Sequence, residues 1–207
     1  MEKLEVSSNH FSKIRNGPWK QAEKTHYRMV IDHADKTIHI TGQESDNNDW
    51  SDNFDFKVHA EQWFSNNKNI LVHAGFLRQY KSVRNILLDA VYQHPDYIIK
   101  VDGFSLGASW TQIFLQDVIH RWPDKNIHAV FYAPGNPWRK LPKQYQKALK
   151  RCTTFVRSIW DPVTWMKALR FYRYGKHITI GKWYRFWPLQ HLPLQIIRGL
   201  DELEKQG

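Results

Sequence analysis

The chain has 207 residues, 42% of them hydrophobic, which suits one compact domain spanning residues 1–207 with a sizeable core. No run approaches the ~18–20 consecutive apolar residues of a membrane span. The first ten residues lack the apolar centre of a secretory signal, and the lone cysteine, Cys152, excludes an intrachain disulfide, so a reducing, cytoplasmic setting is expected. The formal net charge of +10 is concentrated: Trp138 to Gln190 carries thirteen Lys or Arg against one acid, Asp161, a local sum of +12 that leaves −2 for the rest.

In chain order, Tyr27–Ile31 and Thr37–Ile40 read as two strands around the turn-forming Asp32-His33-Ala34-Asp35-Lys36, an N-terminal β-hairpin. A polar stretch, 42–55, follows. Apolar residues at Phe76, Leu77, Tyr80, Val83, Leu87, Leu88 and Val91 keep helical spacing as far as His94-Pro95. Tyr97–Val101 is a short β-branched run that reads as a buried strand. A helical pattern over Ala108–Trp122 comes next, then a strand at Ile127–Tyr132 and a basic helix at Leu141–Arg151. Thr153–Ile159 and Ile178–Ile180 read as further strands, and Ile196–Leu203 as a last apolar-patterned segment. Strand and helix alternate, which predicts an α/β fold with a mostly parallel central sheet flanked by helices.

Between the strand ending at Val101 and the helix after it stands Gly103-Phe104-Ser105-Leu106-Gly107. Gly-x-Ser-x-Gly is short, and its weight comes from this strand-to-helix context. A sharp turn there holds the serine in strained backbone geometry, and Gly103 and Gly107 avoid clashes with neighbouring backbone. The hydroxyl stands clear of the sheet, and the Leu106 N–H at the helix N-terminus can meet a developing oxyanion.

A serine needs a base to take its proton, and in this arrangement an acid and then a histidine follow the serine along the chain. The acids after Ser105 are Asp117, Asp124, Asp161, Asp201, Glu202 and Glu204. Asp161 alone falls just past a predicted parallel strand, in a cationic stretch that keeps it ionised. Of His120, His128, His177 and His191, the last lies in a loop just before the final helix and leads as the base, with His177 in reserve.

With these motifs the chain resembles the class 3 lipases, which include fungal triacylglycerol lipases and related feruloyl esterases. The likeness runs from about Tyr27 to Leu203: Ile40-Thr41-Gly42-Gln43, then Asp49-Trp50, Val72-His73-Ala74-Gly75-Phe76, the serine turn, Ala133-Pro134-Gly135-Asn136, Asp161-Pro162-Val163 and His191-Leu192. The resemblance implies the α/β-hydrolase fold, a Ser105–His191–Asp161 triad, and an oxyanion hole from the backbone N–H groups of Gln43 and Leu106. It also implies a lid after Gln43. Thr41, Gln43 and Phe104 depart from the family's usual Arg, Thr or Ser, and His, and 44–55 is too polar for a greasy lid. His73 reads as a structural hydrogen-bonder, and the short, disulfide-free chain as an intracellular or phage-type branch.

The function these residues point to is hydrolysis of a carboxylic ester, lipid esters first, through an acyl-enzyme. No metal or organic cofactor is implied, since no His/Cys/Asp cluster has ligand spacing. The basic, Trp- and Tyr-rich segment 138–190 suits peripheral contact with an anionic membrane, and the acidic N-terminal half disfavours nucleic acid. The alternatives are a soluble carboxylesterase or thioesterase, or a binding protein that kept the fold without turnover.

Overall fold

A seven-stranded sheet runs through the middle of the computed structural model, which describes residues 6–16, 18–23, 25–43, 58–60, 70–158, 170–180 and 193–205. Its strands are β1 (Lys20–Ala22), β2 (Thr25–Asp32), β3 (Thr37–Gly42), β6 (Ile98–Phe104), β7 (Ile127–Tyr132), β9 (Thr153–Ser158) and β10 (Lys176–Ile180), side by side in that order. β1, β2 and β3 pair antiparallel; β3, β6, β7, β9 and β10 pair parallel. The predicted hairpin is β2–β3, with Asp32 Oδ1 accepting from the Ala34 and Asp35 amides at 2.9 and 3.1 Å. A second, antiparallel sheet joins β4 (Val58–Ala60), β5 (Leu71–His73) and β8 (Trp138–Lys140).

Alternation along the parallel strands sorts their side chains between two apolar layers. Ile99 and Val101 of β6, Ala129 and Phe131 of β7 and Phe155 of β9 face one layer, with α2 (Ala74–Gln93), α3 (Ser105–Arg121) and α4 (Lys143–Cys152). Phe104, Val130, Tyr132 and Val156 face the other, with α1 (Ser8–Arg15) and α5 (Pro193–Glu204). All seven apolar positions that predicted the helix after Phe76 are buried on α2. That helix begins two residues earlier because the His73 ring caps it.

Three differences from the sequence reading have local causes. β6 runs on through Gly103 and Phe104, and α3 starts at Ser105 instead of Ala108, because Gly103 still pairs with Gly42 on one side and Phe131 on the other. The reversal is made within one residue. α1 was not expected: its N-cap is Ser7, whose side chain accepts from His10 N at 3.1 Å, and its apolar anchor is Phe11, fully buried against Phe104 and Tyr132. Burying that phenyl is worth about 2 kcal/mol, and eight residues with two apolar positions, Phe11 and Ile14, give too short a period to mark a helix. The three-residue strands of the second sheet are likewise too short to show one.

α2 and α3 are also joined by charge. Asp117 of α3 is fully buried and accepts from Tyr80 Oη (2.7 Å), Arg84 Nε (2.7 Å) and Arg121 Nε (2.9 Å). Burial, with the Asp117 charge adding to it, pushes the Tyr80 hydroxyl well above its ordinary range.

Candidate active site

Ser105 follows β6 directly and opens α3, with φ at +52°. A side chain in this left-handed region is strained and needs its surroundings to hold it there. Those surroundings are backbone. A Cβ on Gly103 would come within 2.9 Å of the Ala108 amide nitrogen, and one on Gly42 or Gly107 would overlap the other residue's main chain. β3 and the first turn of α3 therefore pack without side chains between them, and Ser105, half-buried, stands at the carboxyl edge of the sheet.

A polar brace holds this turn to the loop after β7. Ser109 Oγ donates to the Ser105 carbonyl and accepts from the Gly135 amide, both at 2.8 Å. Gln112 Nε2 reaches the Ala108 and Gly135 carbonyls at 3.0 and 3.1 Å. Arg173 donates to the Pro134 carbonyl at 2.7 Å, and Asn136 Nδ2 to that of Phe171 at 3.2 Å. The sequence offered no motif for Ser109 or Gln112; their spacing of four and seven residues from Ser105 is the signal that places them on its side of the helix.

Leu106 sits in the first turn of α3, where amide groups have no partner within the helix. Gln43, the other expected oxyanion donor, directs its N–H to the His26 carbonyl at 3.2 Å, one step beyond the last hairpin pair, Tyr27 with Gly42. The two backbone segments adjoin through Gly42 and Gly107, but the Gln43 amide is engaged across the hairpin.

Asp161 and His191 lie outside the described residues, as does the polar stretch 44–55. Of the described elements, β9 ends at Ser158, at the same sheet edge as Ser105, and α5 begins at Pro193. Several of the competing residues stand in other surroundings. Asp117 is held by two arginines and a tyrosine. His120 bonds Tyr145 Oη at 2.6 Å, and His128 lies within β7. His177, the reserve base, stacks on Phe155, and its backbone is level with Gly103 but three strand spacings away, roughly 14 Å. His73 is fully buried, accepts from Phe76 N at 3.5 Å and stacks on the Phe76 ring at 4.1 Å, the structural part expected of it.

Among the described residues no group of three or more His, Cys, Asp or Glu is arranged to hold a metal ion, and no helix is long and apolar enough to cross a membrane.

The family model described as Lipase (class 3) matches residues 37–169, about two thirds of the chain. Among solved structures, the native Rhizomucor miehei lipase propeptide complex is 21% identical, with a TM-score of 0.62 over 79% of this chain and 55% of that one. A lipase from Yarrowia lipolytica is 19% identical, with a TM-score of 0.60 over 81% and 66%. A triacylglycerol lipase described as having a serine protease triad for its catalytic centre is 19% identical, with a TM-score of 0.63 over 86% and 77%. The chain spans about half the length of the two Rhizomucor miehei lipase propeptide complexes it matches. No curated protein matches it. The likeness to these structures carries the α/β-hydrolase fold, and the family match, which contains the strained serine turn, decides membership: this chain belongs to the class 3 lipase family.

Proposed function

We propose that the chain is a serine hydrolase of lipid carboxylic esters, with Ser105 as nucleophile, His191 as general base and Asp161 as its orienting acid. The observation that carries this reading is Ser105 at φ +52° on a one-residue strand-to-helix reversal, inside a chain of the class 3 lipase family. In the reaction the Ser105 hydroxyl attacks the ester carbonyl carbon as His191 takes its proton. The imidazolium, steadied by Asp161, gives that proton to the leaving alcohol. Water then repeats the sequence on the acyl-enzyme and frees the acid. The Leu106 N–H holds the tetrahedral oxyanion, and Gln43 joins it when its bond to His26 is exchanged for the oxyanion, a donor of this kind being worth about 3 kcal/mol.

A fluorophosphonate probe tests the core of this reading. Labelling of the wild type that is lost in Ser105→Ala, His191→Ala and Asp161→Asn supports it; labelling that survives Ser105→Ala removes it. A panel of esters of rising chain length then separates a lipase from a soluble carboxylesterase or thioesterase.

Anionic phospholipid surfaces are the favoured substrate context. Supporting this, α4 buries Tyr145 and Leu149 and presents Lys143, Lys147 and Lys150 to solvent. Liposome flotation at rising salt tests it: recruitment that follows anionic lipid and falls with salt is expected, and binding indifferent to lipid charge overturns it.

A further inference from the structure

α1 faces the sheet across a cleft of about 550 Å³ lined, among the described residues, by polar and charged residues whose aliphatic stems and ring faces share the surface with their polar atoms. A helix laid against a sheet ordinarily turns apolar side chains inward. α1 does so with Phe11, but Asn9, His10, Ser12, Lys13 and, just past its end, Asn16 line the cleft. Arg28 of β2, His39 of β3 and Asp102 of β6 complete it from the sheet. Four of these eight residues are basic and one is acidic.

That acid is already spent. Asp102 is fully buried at the floor, with His39 Nε2 at 2.5 Å and His10 Nε2 at 3.5 Å from the same carboxylate oxygen. Burial alone would push its carboxyl up, but the His10 and His39 imidazoles, with the Thr41 hydroxyl, hold it well below the usual carboxylate range. The carboxylate thus orients both imidazoles from the floor of the cleft. His39, with 31% of its side chain exposed, and His10, with 17%, keep an edge toward the opening.

The rim cations have no such partner: among the described residues neither Lys13 nor Arg28 pairs with a carboxylate. The Arg28 guanidinium is set in place by long bonds to the Lys13 carbonyl (3.3 and 3.4 Å) and Thr41 Oγ1 (3.5 Å) and by the Trp19 ring, 5.5 Å from its centroid. These contacts fix the fork without neutralising it. Amide, hydroxyl, ammonium, guanidinium and imidazole donors therefore surround a space in which, among the described residues, the Lys13 and Arg28 charges outnumber the one carboxylate. A ligand that matches is compact, multiply charged and rich in acceptor oxygens.

We propose that this cleft, formed by α1 against β2, β3 and β6, binds a terminal phosphate group, free or on a monoester, with Lys13 and Arg28 as the charged clamp and His10 and His39 as floor donors. It is separate from the Ser105 turn and does not depend on the hydrolase reading. The group can arrive as free phosphate or as the headgroup of a lipid such as phosphatidic acid.

The experiment uses the full chain in two arms. One is isothermal titration with inorganic phosphate at ionic strength held constant with chloride. The other is flotation with phosphatidylcholine vesicles with and without phosphatidic acid. Each is repeated for Lys13→Gln, Arg28→Gln and, as a control on α4, Lys147→Gln. Saturable phosphate binding whose Kd rises at least tenfold in both cleft variants and not in the control supports the site with free phosphate as its ligand. Recruitment only to phosphatidic acid vesicles, lost in the same two variants, supports it with the lipid headgroup. Lys13 is exposed, so Lys13→Gln keeps the fold and decides alone if Arg28→Gln does not. No saturable binding in either arm, or binding that Lys13→Gln leaves unchanged, overturns the proposal.

Discussion

Gly42 and Gly107 meet main chain to main chain: a Cβ added to either would overlap the backbone of the other. The end of β3 and the first turn of α3 are held at a separation that only two glycines allow, and the serine turn takes its position from that contact. Neither side can yield cheaply, because both are backbone. Gly42→Ala and Gly107→Ala should each cost about 3 kcal/mol, the upper range for overpacking. Thermal denaturation checks this, with a Tm lowered by several degrees expected. A variant melting with the wild type would show that the contact is looser than described.

Strain at Ser105 predicts a separation of stability from function. Holding a residue other than glycine at φ +52° costs about 1 kcal/mol. Ser105→Gly should therefore melt about 2–4 °C above Ser105→Ala, while neither takes a fluorophosphonate label. Equal melting temperatures would mean the turn stores no strain.

The Asp117 cluster should be lopsided. Asp117 is fully buried between two arginines and Tyr80, so Asp117→Ala leaves charge and donors without their acceptor and should cost about 3–5 kcal/mol. Arg121, 40% exposed, can turn to water, and Arg121→Ala should cost about 1 kcal/mol or less. Urea unfolding measures both, and equal losses would contradict the assignment.

Acid should expose the Asp102 site. A carboxyl held below its unfolded range adds stability that is present above about pH 4 and is lost as pH falls toward the folded value. The stability gap between wild type and Asp102→Asn should accordingly be largest near pH 6 and shrink by pH 3. Urea midpoints across that range test it; a gap that widens in acid would reverse the sign.

Burial pushes the Cys152 thiol up to about 12. At pH 8 it stays protonated and a poor nucleophile. Reaction with an aromatic disulfide reagent should be at least 100-fold slower in the native protein than in urea, and comparable rates would place the thiol in a wetter setting.

Much of the frame was legible because it rests on local rules. The β2–β3 hairpin was marked by Asp32, whose carboxylate does cap the turn amides. The parallel order of β6, β7 and β9 followed from apolar runs alternating with helical periods, and the serine turn from two glycines around Ser105. What stayed hidden was decided across the sheet. Nothing near Asp102 in the sequence announces His39, 63 residues away, and nothing near Gln43 shows that its amide is taken by His26. α1 escaped notice because its eight residues are mostly polar and its contact with the sheet, through Phe11, is made far along the chain.

The Ser8 amide donates to Glu204 Oε1 at 2.8 Å, so α1 and the end of α5 lie side by side although 196 residues separate them. A short flexible linker could therefore join the end of α5 to the start of α1, and a break could be opened in the exposed turn at Ala34-Asp35. Such a circular permutant would keep the serine turn and every parallel pairing while making β2 the last strand synthesised and β3 the first.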